Sequence, residues 1–266
     1  MNLFRATLVL WLIAILRQVS GEAETLIEEP GSDLWYWTIF KESSGGAGWS
    51  HPSTQAPFYT VCDIYGTIEE PKNWLMTEFI NIKNATRLDI EVTYILYNCS
   101  IANVGPFCRT NFSLYSYHTD YEFHSDPRRL NFHKETVITP KTLPAPGKRT
   151  REIFYGSILT KAKGIYLALL DQGACLTIRK FVVRYHFCSK TVASKMVRFS
   201  RTVAPANESN LTKQEGKCTD PNSITKNNKK LFGVCLSNGE WNITDNSTCL
   251  CNYGYELTNG SFNCKG

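Results

Sequence analysis

Beyond Leu16 the sequence has no stretch approaching the eighteen consecutive apolar residues that a membrane-spanning helix needs, so it predicts no membrane anchor of its own. It also lacks HExxH, GxSxG, a P-loop and GxGxxG, the short patterns that place a metal-bound water, a serine nucleophile or a phosphate cradle. Its five histidines, His51, His118, His124, His133 and His186, are dispersed and accompany no nucleophile. No cluster of His, Asp or Cys has ligand spacing, and Cys249-Leu250-Cys251 lacks the second pair that a zinc site needs. The sequence therefore predicts no enzyme, no metal and no cofactor. A large excess of one charge is missing as well. The net charge of +5 comes from small groups such as Lys148-Arg149-Thr150-Arg151 and Lys161-Ala162-Lys163, which read as solvated faces and exclude nucleic acid as the expected partner.

What is present points outside the cell. Residues 1–23, MNLFRATLVLWLIAILRQVSGEA, combine a basic start, an apolar core from Leu8 to Leu16 and small residues around Ser20 to Ala23, the pattern of a secretory signal peptide. The ten cysteines are even in number, all lie beyond that segment, and suit an oxidising compartment. Eight Asn-x-Ser/Thr sequons begin at Asn84, Asn98, Asn111, Asn207, Asn210, Asn242, Asn246 and Asn259, so a glycosylated extracellular protein is expected. About 240 residues remain after the signal, enough for one large β domain and a small one.

The chain is organised around Gly164 to Cys188. Ile165 to Leu170 is an unbroken apolar run, which suits a strand covered on both faces. After an Asp-Gln-Gly-Ala-Cys corner, Phe181, Val183, Tyr185 and Phe187 alternate with Lys180, Val182, Arg184 and His186, while Leu176 and Ile178 hold the other phase. A bulge near Arg179 reconciles the two. Arg87 to Leu96 alternates cleanly, with Leu88, Ile90, Val92, Tyr94 and Leu96 on one face, yet its polar face ends in Ile95 and Tyr97. Glu24 to Ile27, Phe58 to Ile64, Phe112 to Tyr117 and Ile153 to Leu159 read as further strands, and 120–140 as polar and irregular. Trp35, Trp37 and Trp49 are expected in the core. A local disulfide could close the Gly-Pro turn between Cys99 and Cys108.

Helix signals are nearly absent, so the expected fold is all-β. An antiparallel β-sandwich spans 24–190, a polar linker lying partly in the second module spans 191–217, and a disulfide-rich module spans 218–266.

The ordered set Val61-Cys62-Asp63-Ile64, Asn73-Trp74-Leu75, Tyr97-Asn98-Cys99, Cys108-Arg109-Thr110-Asn111-Phe112, Gly164-Ile165-Tyr166-Leu167-Ala168 and Asp171-Gln172-Gly173-Ala174-Cys175 resembles the N-terminal ligand-binding domain of ephrin receptors. Gly239-Glu240-Trp241 and Cys249-Leu250-Cys251-Asn252-Tyr253-Gly254-Tyr255-Glu256 are similar to the start of the cysteine-rich region that follows it there. The resemblance implies a jelly-roll sandwich whose surface channel receives an apolar loop of a membrane-tethered ephrin, in contact-dependent signalling of the axon-guidance kind. It implies a Cys62 to Cys175 disulfide bracing the channel and a Cys99 to Cys108 disulfide nearby, with channel residues Ile64, Tyr65, Ile95, Tyr97, Leu176, Thr177 and Arg179. For the last six cysteines a sushi-like pattern is favoured: Cys188 with Cys235, Cys218 with Cys249, and Cys251 with Cys264.

One departure carries a consequence. Family members commonly have an Arg two residues before the cysteine equivalent to Cys99, where it meets an acidic ephrin residue, and this chain has Tyr97. Arg179 is then the only nearby cation expected, and binding should depend less on salt. The expected partners are an ephrin-like cell-surface protein and, through the cysteine-rich region, a second receptor. The chain ends inside that region, so it reads as the ectodomain of a longer cell-surface receptor with a cytoplasmic tyrosine kinase, or, if complete, as a secreted relative. The alternative function is a secreted jelly-roll lectin or a soluble decoy without kinase signalling.

Overall fold

The computed structural model describes residues 21–30, 35–51, 57–65, 69–101, 105–123, 126–193, 196–225, 230–243, 248–258 and 263–266. Residues 1–20, Asn246 and Asn259 lie outside them, and with them most of the expected signal peptide and two sequons. The described residues are strands and loops with two short 3-10 turns and no α-helix. The chain divides into two compact units, residues 25–185 and residues 186–266 together with those up to Glu24.

The larger unit is built on β1 (Glu22–Glu29), β2 (Thr38–Lys41), β3 (Tyr59–Cys62), β4 (Asn73–Met76), β5 (Ile80–Asn81), β6 (Arg87–Tyr97), β7 (Phe112–Thr119), β8 (His133–Ile138), β9 (Arg149–Leu159), β10 (Gly164–Asp171) and β11 (Cys175–Cys188), of which the first three residues of β1 and the last three of β11 fall in the smaller unit. They form two sheets, one ordered β1-β11-β6-β9 with β3 added to β11, the other β2-β4-β10-β7-β8 with β5 added to β10. Every register recorded within these sheets is antiparallel. β1 begins at Glu22, so it overlaps the last two residues of the expected signal segment.

The pattern of each strand follows from what covers it. In β6, Leu88, Ile90, Val92, Tyr94 and Leu96 are all buried, the inward half of a period-2 alternation. β10 is buried at all eight residues because both its faces are covered. Tyr166, Ala168 and Leu170 pack with Trp74, Met76 and an aromatic layer that includes Phe40, Phe79, Tyr115, Phe123 and Phe132. Pairing of β11 with β6 shifts register between Ile178 and Lys180, which places the bulge at Arg179 and moves the apolar phase from Ile178 to Phe181. Trp35, Trp37 and Trp49 are buried, with Trp35 and Trp37 packed edge-on at 5.3 Å.

One expectation fails. The stretch 120–140, read as irregular, contains a 3-10 turn over Pro127–Arg129 and the six-residue strand β8, paired to β7. β8 is the last strand of its sheet and buries only Ile138, so its sequence shows no apolar alternation to recognise.

The smaller unit contains β12 (Thr191–Ala193), β13 (Val197–Phe199), β14 (Thr202–Val203), β15 (Thr212–Cys218), β16 (Ser223–Thr225), β17 (Leu231–Cys235), β18 (Trp241–Asn242), β19 (Cys249–Cys251), β20 (Glu256–Leu257) and β21 (Cys264–Lys265). β12-β13-β15-β17-β18 make a five-stranded sheet, so residues 191–217 supply strands as well as connections. Its apolar centre is small: Met196, Val197, Phe199 and Leu231 with Cys249 and Cys264. Three disulfides, Cys188–Cys235, Cys218–Cys249 and Cys251–Cys264, supplement that core, as a module of this size requires.

Candidate ligand-binding site

The site starts from three strands held in one register. Cys175 at the head of β11 lies opposite Cys62 of β3 on one side and Tyr97 of β6 on the other, and Cys62 and Cys175 are joined by a disulfide across 113 residues of chain. Two residues along, Thr177 lies between Thr60 and Ile95. Strand β9 extends both rows, with Arg149 opposite Tyr97 and Arg151 opposite Ile95. Period-2 geometry puts these residues on one face of the sheet, away from Leu96 and Ile178, which point into the core.

Around them runs a groove of about 240 Å³, lined by Thr60, Val61, Cys62, Ile95, Tyr97, Arg149, Cys175, Leu176 and Thr177. The polar groups of its floor satisfy each other: the Thr60 hydroxyl donates to the Leu176 carbonyl at 3.1 Å and lies 3.1 Å from the Thr177 hydroxyl. What remains to meet a ligand is the apolar surface of Ile95 and Tyr97 and the exposed Arg149 cation.

The corner that presents Cys175 is fixed by buried acids. Asp171 accepts from the Gly173 and Ala174 backbone amides at 3.2 and 2.6 Å, and from Asn73 Nδ2 at 3.0 Å. The same Nδ2 donates to Asp63 at 2.9 Å, and Asp63 accepts from the amides of Ala47 and Gly48 at 2.8 Å each. Burial pushes the Asp171 carboxyl up to about 6, against the opposing effect of its hydrogen bonds. Gly173 has φ +104°, and a Cβ there would fall 2.0 Å from the Phe107 carbonyl oxygen, so this position accepts only glycine. Glu70 ties the corner to the Cys99–Cys108 loop, accepting from Arg109 at 2.7 Å and from Gln172 at 3.1 Å.

Four of the seven residues assigned to the channel by resemblance line this groove: Ile95, Tyr97, Leu176 and Thr177. Leu176 is only 2% exposed and shares the core-facing phase of Leu96 and Ile178, so it borders the groove through its backbone, whose carbonyl accepts from Thr60. Ile64 is 1% exposed and packs beneath the groove with Cys99 and Cys175, because β3 ends at Cys62 and the chain turns inward. Tyr65 is 60% exposed and lies outside the lining. Arg179 also lies outside it, since the bulge carries its guanidinium over the Phe58 ring, 4.9 Å from the centroid. The groove's cation is Arg149, which in the sequence belongs to the basic group Lys148-Arg149-Thr150-Arg151. Only the β6–β9 register reveals it.

Of the sequons, Asn84, Asn207, Asn210 and Asn242 are exposed, Asn111 is half-buried and Asn98 is buried. Among the described residues, no group of three or more His, Cys, Asp or Glu is placed to hold a metal ion, and no helix is long and apolar enough to cross a membrane.

The chain is a β-sandwich with a surface groove beside a disulfide, followed by a disulfide-rich module. Comparison with known proteins identifies its family. Residues 27–188 match the ephrin receptor ligand binding domain and residues 190–251 the ephrin cysteine rich domain. Ephrin type-A receptor 4-B of Xenopus laevis is 31% identical over 215 residues, which cover 76% of this chain and 20% of that protein. Ephrin type-B receptor 2 of Gallus gallus is 24% identical over 269 residues, covering 96% and 26%. The chain belongs to the ephrin receptor family and corresponds to its N-terminal ectodomain, a binding region that contains no kinase domain. It spans about a fifth of the length of the first of these relatives. Among solved structures, the K2 adhesin domain of Lys-gingipain overlays with a TM-score of 0.38 and 13% identity, covering 61% of this chain and 96% of that one, too distant to bear on function.

Proposed function

We propose that this chain is the extracellular, ephrin-binding end of a cell-surface receptor that signals on cell contact, and that an apolar loop of a membrane-tethered ephrin enters the groove between Ile95 and Tyr97 on one side and the Cys62–Cys175 disulfide on the other. The observation that carries this reading is the position of Ile95 and Tyr97, two large apolar side chains on the outward face of β6, at a groove whose floor hydroxyls are already paired. Such a surface gains affinity by desolvating an inserted apolar group, and one or two well-packed contacts then dominate. Arg149 supplies the charge that faces an acidic ligand residue, in place of the family's usual Arg at the position of Tyr97.

The reading also holds that residues 1–23 act as a secretory signal and that the cysteine-rich module contributes to receptor self-association. Ile224 and Leu250, paired across β16 and β19 and both exposed, supply apolar surface for that contact. Ile224→Lys should lower any self-association seen by analytical ultracentrifugation, and an unchanged association constant would remove that surface from the account.

Titration calorimetry with soluble ephrin ectodomains tests the main reading. Saturable binding with a negative heat-capacity change and no sensitivity to chelators is expected, because apolar burial drives it. Failure to bind any ephrin, or calcium-dependent binding of a sugar instead, would overturn it.

A further inference from the structure

Two of the sequons lie in described segments of opposite character. Asn84 is exposed at the apex of the turn closed by Ala85 N–H to the Ile82 carbonyl at 2.9 Å, and it has φ +64°. No hydrogen bond to its side chain is recorded among the described residues. Asn98 is 2% exposed and makes four hydrogen bonds. Its Nδ2 donates to the Pro144 carbonyl at 2.6 Å, and its Oδ1 accepts from Ser100 N–H at 3.0 Å. Its backbone N–H donates to Lys148 at 2.9 Å and its carbonyl accepts from Gly147 at 2.8 Å. The middle residue of that sequon, Cys99, is fully buried and bonded to Cys108.

We propose that the fold sorts these sequons: Asn84 is an N-glycan acceptor, and Asn98 is a structural amide that stays unmodified because it clamps the 144–148 loop beside the groove. Resting on the extracellular reading above, this adds a modification site and a constraint on the groove. Glycan transfer forms a bond from Asn Nδ2 to C1 of the first sugar, breaks the C1–O bond to a lipid pyrophosphate carrier, which departs, and releases one Nδ2 proton. At Asn84 the new bond leads into solvent. At Asn98 the sugar must occupy space held by Pro144, so a chain modified there cannot close the loop. That loop runs directly into Arg149, and Asn98 directly follows Tyr97, so the clamp sets the two groove residues that face each other.

The test is site occupancy in the full chain secreted from mammalian cells. Peptide N-glycosidase in heavy-oxygen water converts each glycosylated Asn to a labelled Asp that peptide mass spectrometry counts. Labelling of Asn84 in most molecules and none at Asn98 is expected. Ser100→Ala, which removes the sequon and keeps the amide, should leave gel mobility and ephrin affinity unchanged. Asn84→Gln should raise mobility by one glycan. Asn98→Ala, which removes the amide, should lower the thermal midpoint and weaken ephrin binding. Label at Asn98 in folded, secreted protein, a bare Asn84 in a chain that carries glycan at other sequons, or a Ser100→Ala chain that migrates faster would each overturn the assignment. If the native chain carries no glycan at all, fusion to the leader of a known secreted protein separates the causes. Labelling of Asn84 then means that export by the native leader failed and the sorting holds, whereas a bare Asn84 overturns the sorting.

Discussion

Tyr97 and Arg149 stand opposite each other on β6 and β9, and both line the groove that ends at the Cys62–Cys175 disulfide. The pair puts an apolar ring and a cation side by side, whereas the family's usual arrangement has an Arg in the place of Tyr97. With Arg149 in the groove, binding should keep some salt dependence, less than in a relative that has an Arg at position 97. Arg149→Glu should weaken ephrin binding by about tenfold at low salt, with the difference shrinking as ionic strength rises through about 0.5 M, because exposed charge pairs are screened. Tyr97→Arg should steepen the salt dependence. Affinities of the three proteins across a salt series decide it, and a flat, unchanged profile for Arg149→Glu would remove Arg149 from the site.

Replacing both Cys62 and Cys175 with Ser should cost about 4–5 kcal/mol of stability by loop-closure entropy, since the bridge spans 113 residues. Denaturant unfolding of wild type and the double variant measures it. A loss under about 1 kcal/mol would mean that the strands hold the corner without the bond.

The buried Asp171 predicts a pH dependence with a definite sign. Its folded value of about 6 lies above the ordinary 3.8, so the native state holds the proton more tightly than the unfolded chain. Its contribution is most favourable below pH 4, declines between 4 and 6, and is level above that. Relative to Asp171→Asn, wild type should lose up to about 3 kcal/mol between pH 4 and 6.5. Unfolding curves of both proteins across that window provide the comparison, and parallel pH profiles would contradict the buried-acid account.

Gly173→Ala and Gly254→Ala separate steric from conformational cost. Both glycines have positive φ, but a Cβ at Gly173 meets the Phe107 carbonyl oxygen at 2.0 Å while one at Gly254 meets nothing within 4 Å. The first should cost roughly 3 kcal/mol or more and the second about 1. Thermal midpoints give the order, and equal losses would refute the close approach at Gly173.

Much of the sandwich was legible in the sequence because burial writes itself into side-chain period. The unbroken run of β10, the alternation of β6 and the phase change at Arg179 each correspond to a covered face or a bulge. β8 was not legible, because an edge strand with one buried residue carries no period. The site was half legible. Ile95 and Tyr97 stood out as apolar residues on a polar face, whereas Ile64 and Arg149 depend on where a strand ends and which residue faces which across a register. Neither fact is local to the chain. Residues 191–217 looked like linker because their short strands pair within a small module whose core is largely cystine.

The central claim is that an ephrin loop enters the groove at Ile95, and ephrin affinity of Ile95→Asp tests it most directly. Ile153→Asp serves as the control, since Ile153 is already 39% exposed on β9 and lies outside the groove lining. With native circular dichroism and thermal midpoint confirmed for both, Ile95→Asp should weaken binding by at least about 30-fold, the effect of losing one dominant contact, and Ile153→Asp by less than about threefold. An Ile95→Asp protein that is folded and binds ephrin as tightly as wild type would place the ligand elsewhere and contradict the account.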